Sequence, residues 1–387
     1  MTESSRQQAA PVTPPLRRFW FLGPLRREWP LLVSLITTGL FVAFGKSWLA
    51  DLVRPAWFVL ILAWLFAVIL LSALAVVRHA ESLAVRLGEP LGTLVLTLSV
   101  IGIEVMMIGA VMSAGHGNAT LARDAMFAVL MIVLNGMIGL CLLLGGLRYR
   151  EQAYNLQGVN AFLAVIVPLA VLGLILPDFT SAPGPTLSPL HSTFFIVMSI
   201  GLYGVFLAIQ TTRHRDYFLP PSSTDQPSES PHVEHDVHAV AFHAPLLLAY
   251  LAPTVYLAEQ IAVPIDYGIH VLHAPSSLGG LLVSVLVLFP ESLAATRAAL
   301  NNQLQRAVNL LLGSVLASIS LTVPAALTLG FMTNQTVVLG LDPANAVLLV
   351  LTLVVTMLTF SSARTNVLLG AVHGLLFLAY VMLIFEK

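Results

Sequence analysis

The residues of this chain that can do chemistry inside a membrane are carboxylates set in apolar runs, and they come in matched pairs. Ala80-Glu81-Ser82-Leu83-Ala84-Val85 is followed by Gly92-Thr93-Leu94 and then by Glu104. In the second half, Ala258-Glu259-Gln260-Ile261-Ala262-Val263 is followed by Gly279-Gly280-Leu281 and then by Glu291. The interval from Gly92 to Glu104 equals that from Gly279 to Glu291. An acid at the centre of a membrane helix costs at least ~2.5–3.5 kcal/mol on insertion scales, so its presence is itself a functional hypothesis. Two such acids in matching places of two halves point to a transporter built from an internal repeat.

Oxygen donors accompany the central pair. Thr97 and Ser284 each stand seven residues before a central Glu, about two helical turns away on the same face. Ser292 follows Glu291, and Pro290 precedes it. Proline cannot donate a backbone hydrogen bond, so a kinked or unwound helix is expected there. Freed carbonyls beside a carboxylate would make an all-oxygen site, which suits hard cations such as Ca²⁺, and Na⁺ by the same logic. In the next helix of each half, Asn135-Gly136-Met137-Ile138-Gly139 is set against Gly313-Ser314-Val315-Leu316-Ala317-Ser318. Asn135, Gly136 and Ser314 are thus candidate supporting ligands; close helix packing by small residues explains the glycines and serines equally well.

Glu81 and Glu259 form the outer pair, expected at opposite mouths of one pathway as proton or cation entrances. Ordinary interfacial acids are the plain alternative. His232, His235 and His238 recur every third residue, with Glu234 and Asp236 between them. They could bind a transition metal or sense pH, although a solvated linker explains them too. His373, His116 and Cys141 read as incidental; the lone cysteine excludes an intramolecular disulfide.

These residues need a scaffold that crosses a bilayer. Only 10% of the 387 residues are charged and 57% are hydrophobic, with a mean hydropathy of +0.89. A soluble domain carries roughly 25% charged residues. At about 20 apolar residues per span, eleven segments qualify: 30–49, 56–77, 91–113, 125–147, 159–177, 191–210, 244–262, 276–296, 307–330, 344–360 and 366–385. With the N-terminus in the cytoplasm, fourteen of the eighteen Lys and Arg residues fall inside. Only Lys46, Arg54, Arg123 and Lys387 fall outside, as the positive-inside rule prefers. The C-terminus is then periplasmic.

The expected fold is therefore an all-α polytopic membrane protein of about eleven transmembrane helices. Residues 1–29 form a cytoplasmic tail, 30–55 an accessory N-terminal helix, 56–210 a first five-helix repeat, 211–243 a His-rich acidic cytoplasmic linker and 244–387 a second repeat. The Glu104 helix runs outward and the Glu291 helix inward, so the repeats are inverted.

Several of these segments resemble the calcium/cation antiporter superfamily, and within its cation–proton exchanger branch the ChaA-type bacterial sodium/calcium–proton antiporters. Gly88-Glu89-Pro90-Leu91-Gly92-Thr93-Leu94 through Ile103-Glu104-Val105 is similar to that family's first signature repeat, continued by Arg123-Asp124, Asn135-Gly136 and Gly145-Gly146-Leu147-Arg148. Phe289-Pro290-Glu291-Ser292, Asn301-Asn302-Gln303-Leu304-Gln305 and Gly313 through Ser318 are similar to the second. The resemblance implies a ten-helix core of two inverted repeats plus one extra helix, with Glu104 and Glu291 as the central cation- and proton-binding acids. The chain departs from vacuolar-type exchangers at Val100 and Ile101, where Gly-Asn is usual, and at Ala317, where Gln is common. Those departures leave Na⁺ and K⁺ open beside Ca²⁺.

The function expected is secondary antiport of Ca²⁺ or Na⁺ against protons across a bacterial inner membrane, by alternating access. A K⁺/proton exchanger of the same fold is the near alternative, and a cation channel without proton coupling the distant one. No phosphate-binding loop, His-Glu-x-x-His or Gly-x-Ser-x-Gly motif suggests an enzyme or a pump. No cofactor is expected. The partners are inorganic cations, protons and membrane lipid, and no nucleic acid.

Overall fold

A computed structural model describes residues 28–87, 91–114, 119–180, 184–221 and 240–386. Backbone polar groups in hydrocarbon must be satisfied within the spanning segment, and the chain meets this demand with helices throughout. The helices are α1 (Trp29–Ala50), α2 (Pro55–Leu87), α3 (Leu91–Ala114), α4 (Leu121–Tyr149), α5 (Leu156–Leu174) and α6 (Pro189–Arg213). After the linker come α7 (Val240–His270), α8 (Ser277–Leu300), α9 (Leu304–Thr333), α10 (Pro343–Thr359) and α11 (Val367–Phe385). Among the described residues nine of these are each long and apolar enough to cross a membrane; α3 and the 17-residue α10 complete the set of eleven. The protein is a polytopic membrane protein with α1 outside two five-helix repeats, α2–α6 and α7–α11.

Local sequence sets the helix starts. Asn155, Ser188, Asp342 and Asn366 each cap a helix by accepting a backbone N–H two or three residues on. Asn155 and Asp342 are related by the interval that separates Glu104 from Glu291, so the repeats share even this cap. α4 and α9 form the centre, with 72% of their apolar windows buried, against 22% for α1. Small residues bring the central helices together. A Cβ on Gly280 of α8 would stand 2.6 Å from the Ala125 nitrogen of α4, and one on Gly370 of α11 2.6 Å from the Leu143 nitrogen. A two-residue antiparallel ladder, β1 (Gln152–Ala153) with β2 (Arg364–Thr365), ties the repeats at one membrane face.

The structure differs from the sequence-based expectation at three places. α8 runs unbroken through Pro290, so no unwound segment forms there. The irregular backbone lies in the neighbouring central helices instead, as π-helical turns at Met131–Met137 of α4 and Ser318–Thr322 of α9. α2 and α7 run well beyond their apolar cores, to Leu87 and His270, so Glu259 lies inside a helix rather than near its end.

Candidate ion-binding site

Met131 and Ser318, and likewise Asn135 and Thr322, are related by the same interval as Glu104 and Glu291. The two π turns are therefore equivalent parts of the two repeats. A π turn inserts a residue into the helical ladder and recurs at functional sites. Here each packs against the Glu-bearing helix of the other repeat, α3 on the turn of α9 and α8 on the turn of α4.

Glu104 is 2% exposed, and its Oε2 accepts a 2.6 Å hydrogen bond from Ser318 Oγ. Its Oε1 is buried with no hydrogen-bond partner among the described residues. Thr322 lies close to the same carboxylate, with its Oγ1 buried and likewise unpartnered. Glu291 has a buried, unpartnered Oε2 and lies within electrostatic reach of both Glu104 and Glu81. Buried polar atoms are nearly always hydrogen-bonded, so orphaned carboxylate oxygens mark places where something else binds. Protons or a hard cation are the chemistry these all-oxygen groups accept.

A cavity of ≈ 160 Å³ leads to Glu291. Its polar lining is Thr97, Tyr203, Gln210, Asn309 and Ser314 with Glu291 itself. Gln210 and Asn309 stand toward the membrane face that carries Arg213, Arg215 and Arg306. Glu104 is not part of this lining and is bonded to Ser318.

The structure thus brings Glu104, Glu291, Thr97 and Ser314 to one region. Ser284, Asn135 and Gly136 serve other contacts. Ser284 Oγ donates to the carbonyls of Ala125 and Gly280, at 2.9 and 2.8 Å. The Ser292 carbonyl accepts from Thr296. Asn135 Nδ2 donates to Thr352 Oγ1 at 2.8 Å, and its Oδ1 lies 3.2 Å from His373 Nδ1. A Cβ on Gly136 would press on the Phe377 ring at 3.1 Å. His373 is fully buried and also meets Thr359 Oγ1, so it is a structural link between α4, α10 and α11 rather than an incidental residue. Cys141 is buried and free. Glu81 is half-buried and Glu259 exposed. His116, His232, His235 and His238 lie outside the described residues. Among the described residues no three His, Cys, Asp or Glu side chains converge on a metal position.

Ser318, Thr322, Tyr203, Gln210 and Asn309 were not singled out from the sequence. Carrying the Glu104-to-Glu291 interval from Asn135 into the next helix would have selected Thr322. The pairing of Asn135–Gly139 with Gly313–Ser318 used a shorter interval; it contained Ser318 without assigning it to the site, and it missed Thr322.

Two inverted repeats with buried acids facing each other across central helices define an ion-coupled secondary transporter. The chain belongs to the sodium/calcium exchanger protein family, whose model matches residues 57–212 and 243–386. It is 41% identical over 318 residues to the sodium-potassium/proton antiporter ChaA of Escherichia coli, covering 82% of this chain and 86% of that protein. It is 42% identical over 316 residues to the putative ionic transporter y4hA of Sinorhizobium fredii, covering 81% and 85%. Among solved structures, native YfkE superposes with a TM-score of 0.71 at 15% identity, over 92% of this chain and all of that one, which shows the shared fold.

Proposed function

We propose that this protein is a cation/proton antiporter of the bacterial inner membrane, working by alternating access. The observation that carries the reading is the pair Glu104 and Glu291, matched in inverted repeats, each with a buried carboxylate oxygen that lacks a hydrogen-bond partner among the described residues. Two carboxylates within electrostatic reach of each other in a low-dielectric site repel when bare, so they hold either protons or a cation. Mutual exclusion at one site, opened to each side in turn, gives exchange without ATP.

The loop charges support a cytoplasmic N-terminus and a periplasmic C-terminus. The cavity beside Gln210 and Asn309 then opens to the cytoplasm. A cation enters past these amides, reaches Glu291 and Thr97, and displaces protons from the acid pair. Ser318 holds Glu104 in place while the cation is bound. After the site turns outward, periplasmic protons displace the cation. The relative named as a sodium-potassium/proton antiporter supports Na⁺ and K⁺ as cargo ahead of Ca²⁺.

Everted membrane vesicles with an acidified lumen test this reading. Adding Na⁺ or K⁺ should collapse the pH gradient, with Ca²⁺ weaker and Mg²⁺ inert. Cation uptake that proceeds with no proton movement would replace the antiporter by a channel.

A further inference from the structure

The inverted repeat that pairs Glu104 with Glu291 also pairs the walls of the cavity with residues on the opposite side of the membrane. Asn309, Leu310, Gly313, Ser314 and Ala317 of α9 line the cavity. The interval from Glu104 to Glu291 carries them to Ala122, Arg123, Met126, Phe127 and Leu130 of α4. Thr97, on the α3 wall of the cavity, is carried to Ser284 of α8. Asn309 lies near the start of α9, whereas Arg123 touches the chain past the end of that helix, at Gly340. The two sets therefore face opposite membrane surfaces. Where the cavity has glycine, serine and alanine, the counterpart has Met126, Phe127 and Leu130, all buried.

Specific contacts hold these counterparts together. Phe127 meets Tyr380 of α11 edge to face, with ring centroids 5.4 Å apart. α11 is the fifth helix of its repeat, as α6 is of the first, and Tyr203 of α6 lines the cavity. Ser284 Oγ donates to the Ala125 carbonyl at 2.9 Å and fastens α8 to α4. One turn nearer the surface, Arg123 Nε and Nη2 each reach Asp124 Oδ1 at 2.9 Å. Its Nη1 donates to the Gly340 carbonyl at 3.1 Å. Asp124 is buried and also accepts from Thr120 Oγ1 at 3.0 Å. Asp178 lies within electrostatic reach of the same guanidinium. Beside this clasp the Val338 N–H donates to the Ala119 carbonyl at 2.9 Å.

We infer that these residues are the outward route in its closed state. The cation leaves, and protons enter, between α4, α8 and α11, past Phe127 and Tyr380 and then past Arg123. Alternating access moves one bundle against the other around a fixed site. With inverted repeats, the second state is the first with the roles of the halves exchanged. Met126 and Phe127 then take the wall places that Gly313 and Ser314 hold now. They are too bulky to stay packed on α8 and α11 beside an open route, so the Phe127–Tyr380 pair must part. Arg123 takes the place of Leu310 and must release Gly340. A bare guanidinium on that wall would repel a cation; Asp124, its neighbour in sequence, keeps it paired. Arg123 is thus a clasp that holds the outward route shut while the cavity faces the other surface. This deepens the antiport reading above and rests on it.

One measurement needs no transport. Single cysteines in a Cys141→Ala background report the access of a small membrane-impermeant thiol reagent in proteoliposomes of known orientation. Asn309→Cys should react from one side. Met126→Cys should react only from the other, and slowly in the parent, because that place is buried. Ala128→Cys should stay unreactive from both sides; it is buried on the same helix, and its counterpart Val315 is not on the cavity wall. Arg123→Gln breaks the clasp and should speed Met126→Cys about ten-fold while slowing Asn309→Cys. Arg123→Lys keeps the charge without the fork that spans Asp124 and Gly340. It should act in the same direction more weakly, and it serves the test if the glutamine variant inserts poorly. Met126→Cys reacting from the Asn309 side, or from neither side in the parent and both clasp variants, overturns the outward route. Ala128→Cys reacting as fast as Met126→Cys does the same. Rates unchanged by both Arg123 variants overturn the clasp. In everted vesicles, Arg123→Gln should weaken apparent affinity for cation added to the exposed face about three-fold or more, since fewer molecules present the cavity. A parent that exchanges nothing there would defeat the functional proposal and leave the labelling to judge the route alone.

Discussion

The two repeats build the same backbone around their central acids and fill it with different chemistry. In the second repeat the π turn presents Ser318 to Glu104, with Thr322 a turn further on. At the equivalent places of the first repeat stand Met131 and Asn135. Met131 cannot donate to Glu291; its sulfur instead lies 3.5 Å from Asn135 Nδ2 and 3.7 Å from Thr352 Oγ1. Asn135 is held by Thr352 and His373, away from the site. Glu104 is therefore enclosed and held through one oxygen by Ser318, while Glu291 borders the cavity. Inverted symmetry supplies two acids, and we propose that divergence within it supplies two roles: Glu104 grips the cation, and Glu291 meets what arrives through the cavity.

The largest effects test whether both acids are needed. Glu104→Gln and Glu291→Gln keep size and hydrogen bonding but lose the charge and the exchangeable proton, and each should reduce exchange to background in a correctly inserted protein. Isothermal binding should separate them further, with Glu104→Gln losing detectable cation binding and Glu291→Gln retaining a weakened site. Wild-type exchange in either variant removes that acid from the mechanism, and identical binding defects erase the division of roles.

Equivalent positions in the two π turns should give different kinds of defect. Ser318→Ala removes a hydrogen bond to a charged group, worth ~1.5–3 kcal/mol, so apparent cation affinity should fall about ten-fold or more with folding nearly unchanged. Met131→Ala deletes a fully buried side chain, which typically costs ~2–5 kcal/mol. It should lower the thermal melting temperature in detergent and leave affinity within about two-fold, since its sulfur is engaged by Asn135 and Thr352. Equal affinity losses in the two variants would mean the turns are functionally alike after all.

Much of this arrangement was legible in the residues. Eleven apolar runs match eleven helices because bilayer thickness fixes span length and hydrocarbon forbids other backbone. Glu104 and Glu291 were legible because a buried acid is too costly to be accidental. The π turns were not, since no residue type marks an inserted turn, and the turn at Ser318–Thr322 contains no proline or glycine. Pro290 misled in the opposite direction: with its ring buried against neighbouring helices, α8 tolerates the missing hydrogen bond and stays continuous. The contacts among Glu28, Arg78, His79, His243 and Tyr250 were invisible for another reason. These are ordinary residues in three distant segments, and only the packing of α1, α2 and α7 brings them together.

The smallest effects concern the outer acids, where sequence similarity and structure part company. Glu81 and Glu259 share the Ala-Glu-x-[Leu/Ile]-Ala-Val context, which suggests matched entrances. In the folded chain Glu81 is half-buried and within electrostatic reach of Glu291, whereas Glu259 lies on the exposed surface of α7 beside Tyr256. An acid near the site through partly screened surroundings changes local cation concentration and proton supply, not ligation. Glu81→Gln should therefore shift apparent affinity on the cytoplasmic side by about three-fold, more at low ionic strength than at high. Glu259→Gln should change exchange by less than about two-fold, because water or headgroups screen an exposed charge from the pathway. Cysteines at the two positions in the Cys141→Ala background, probed with a membrane-impermeant thiol reagent in oriented vesicles, report where each acid faces. Labelling of Glu81→Cys from the cytoplasmic side and of Glu259→Cys from the opposite side fits the inverted arrangement. Labelling of both from one side would overturn the orientation taken from the loop arginines, and an effect of Glu259→Gln as large as that of Glu81→Gln would restore the outer pair as equal partners.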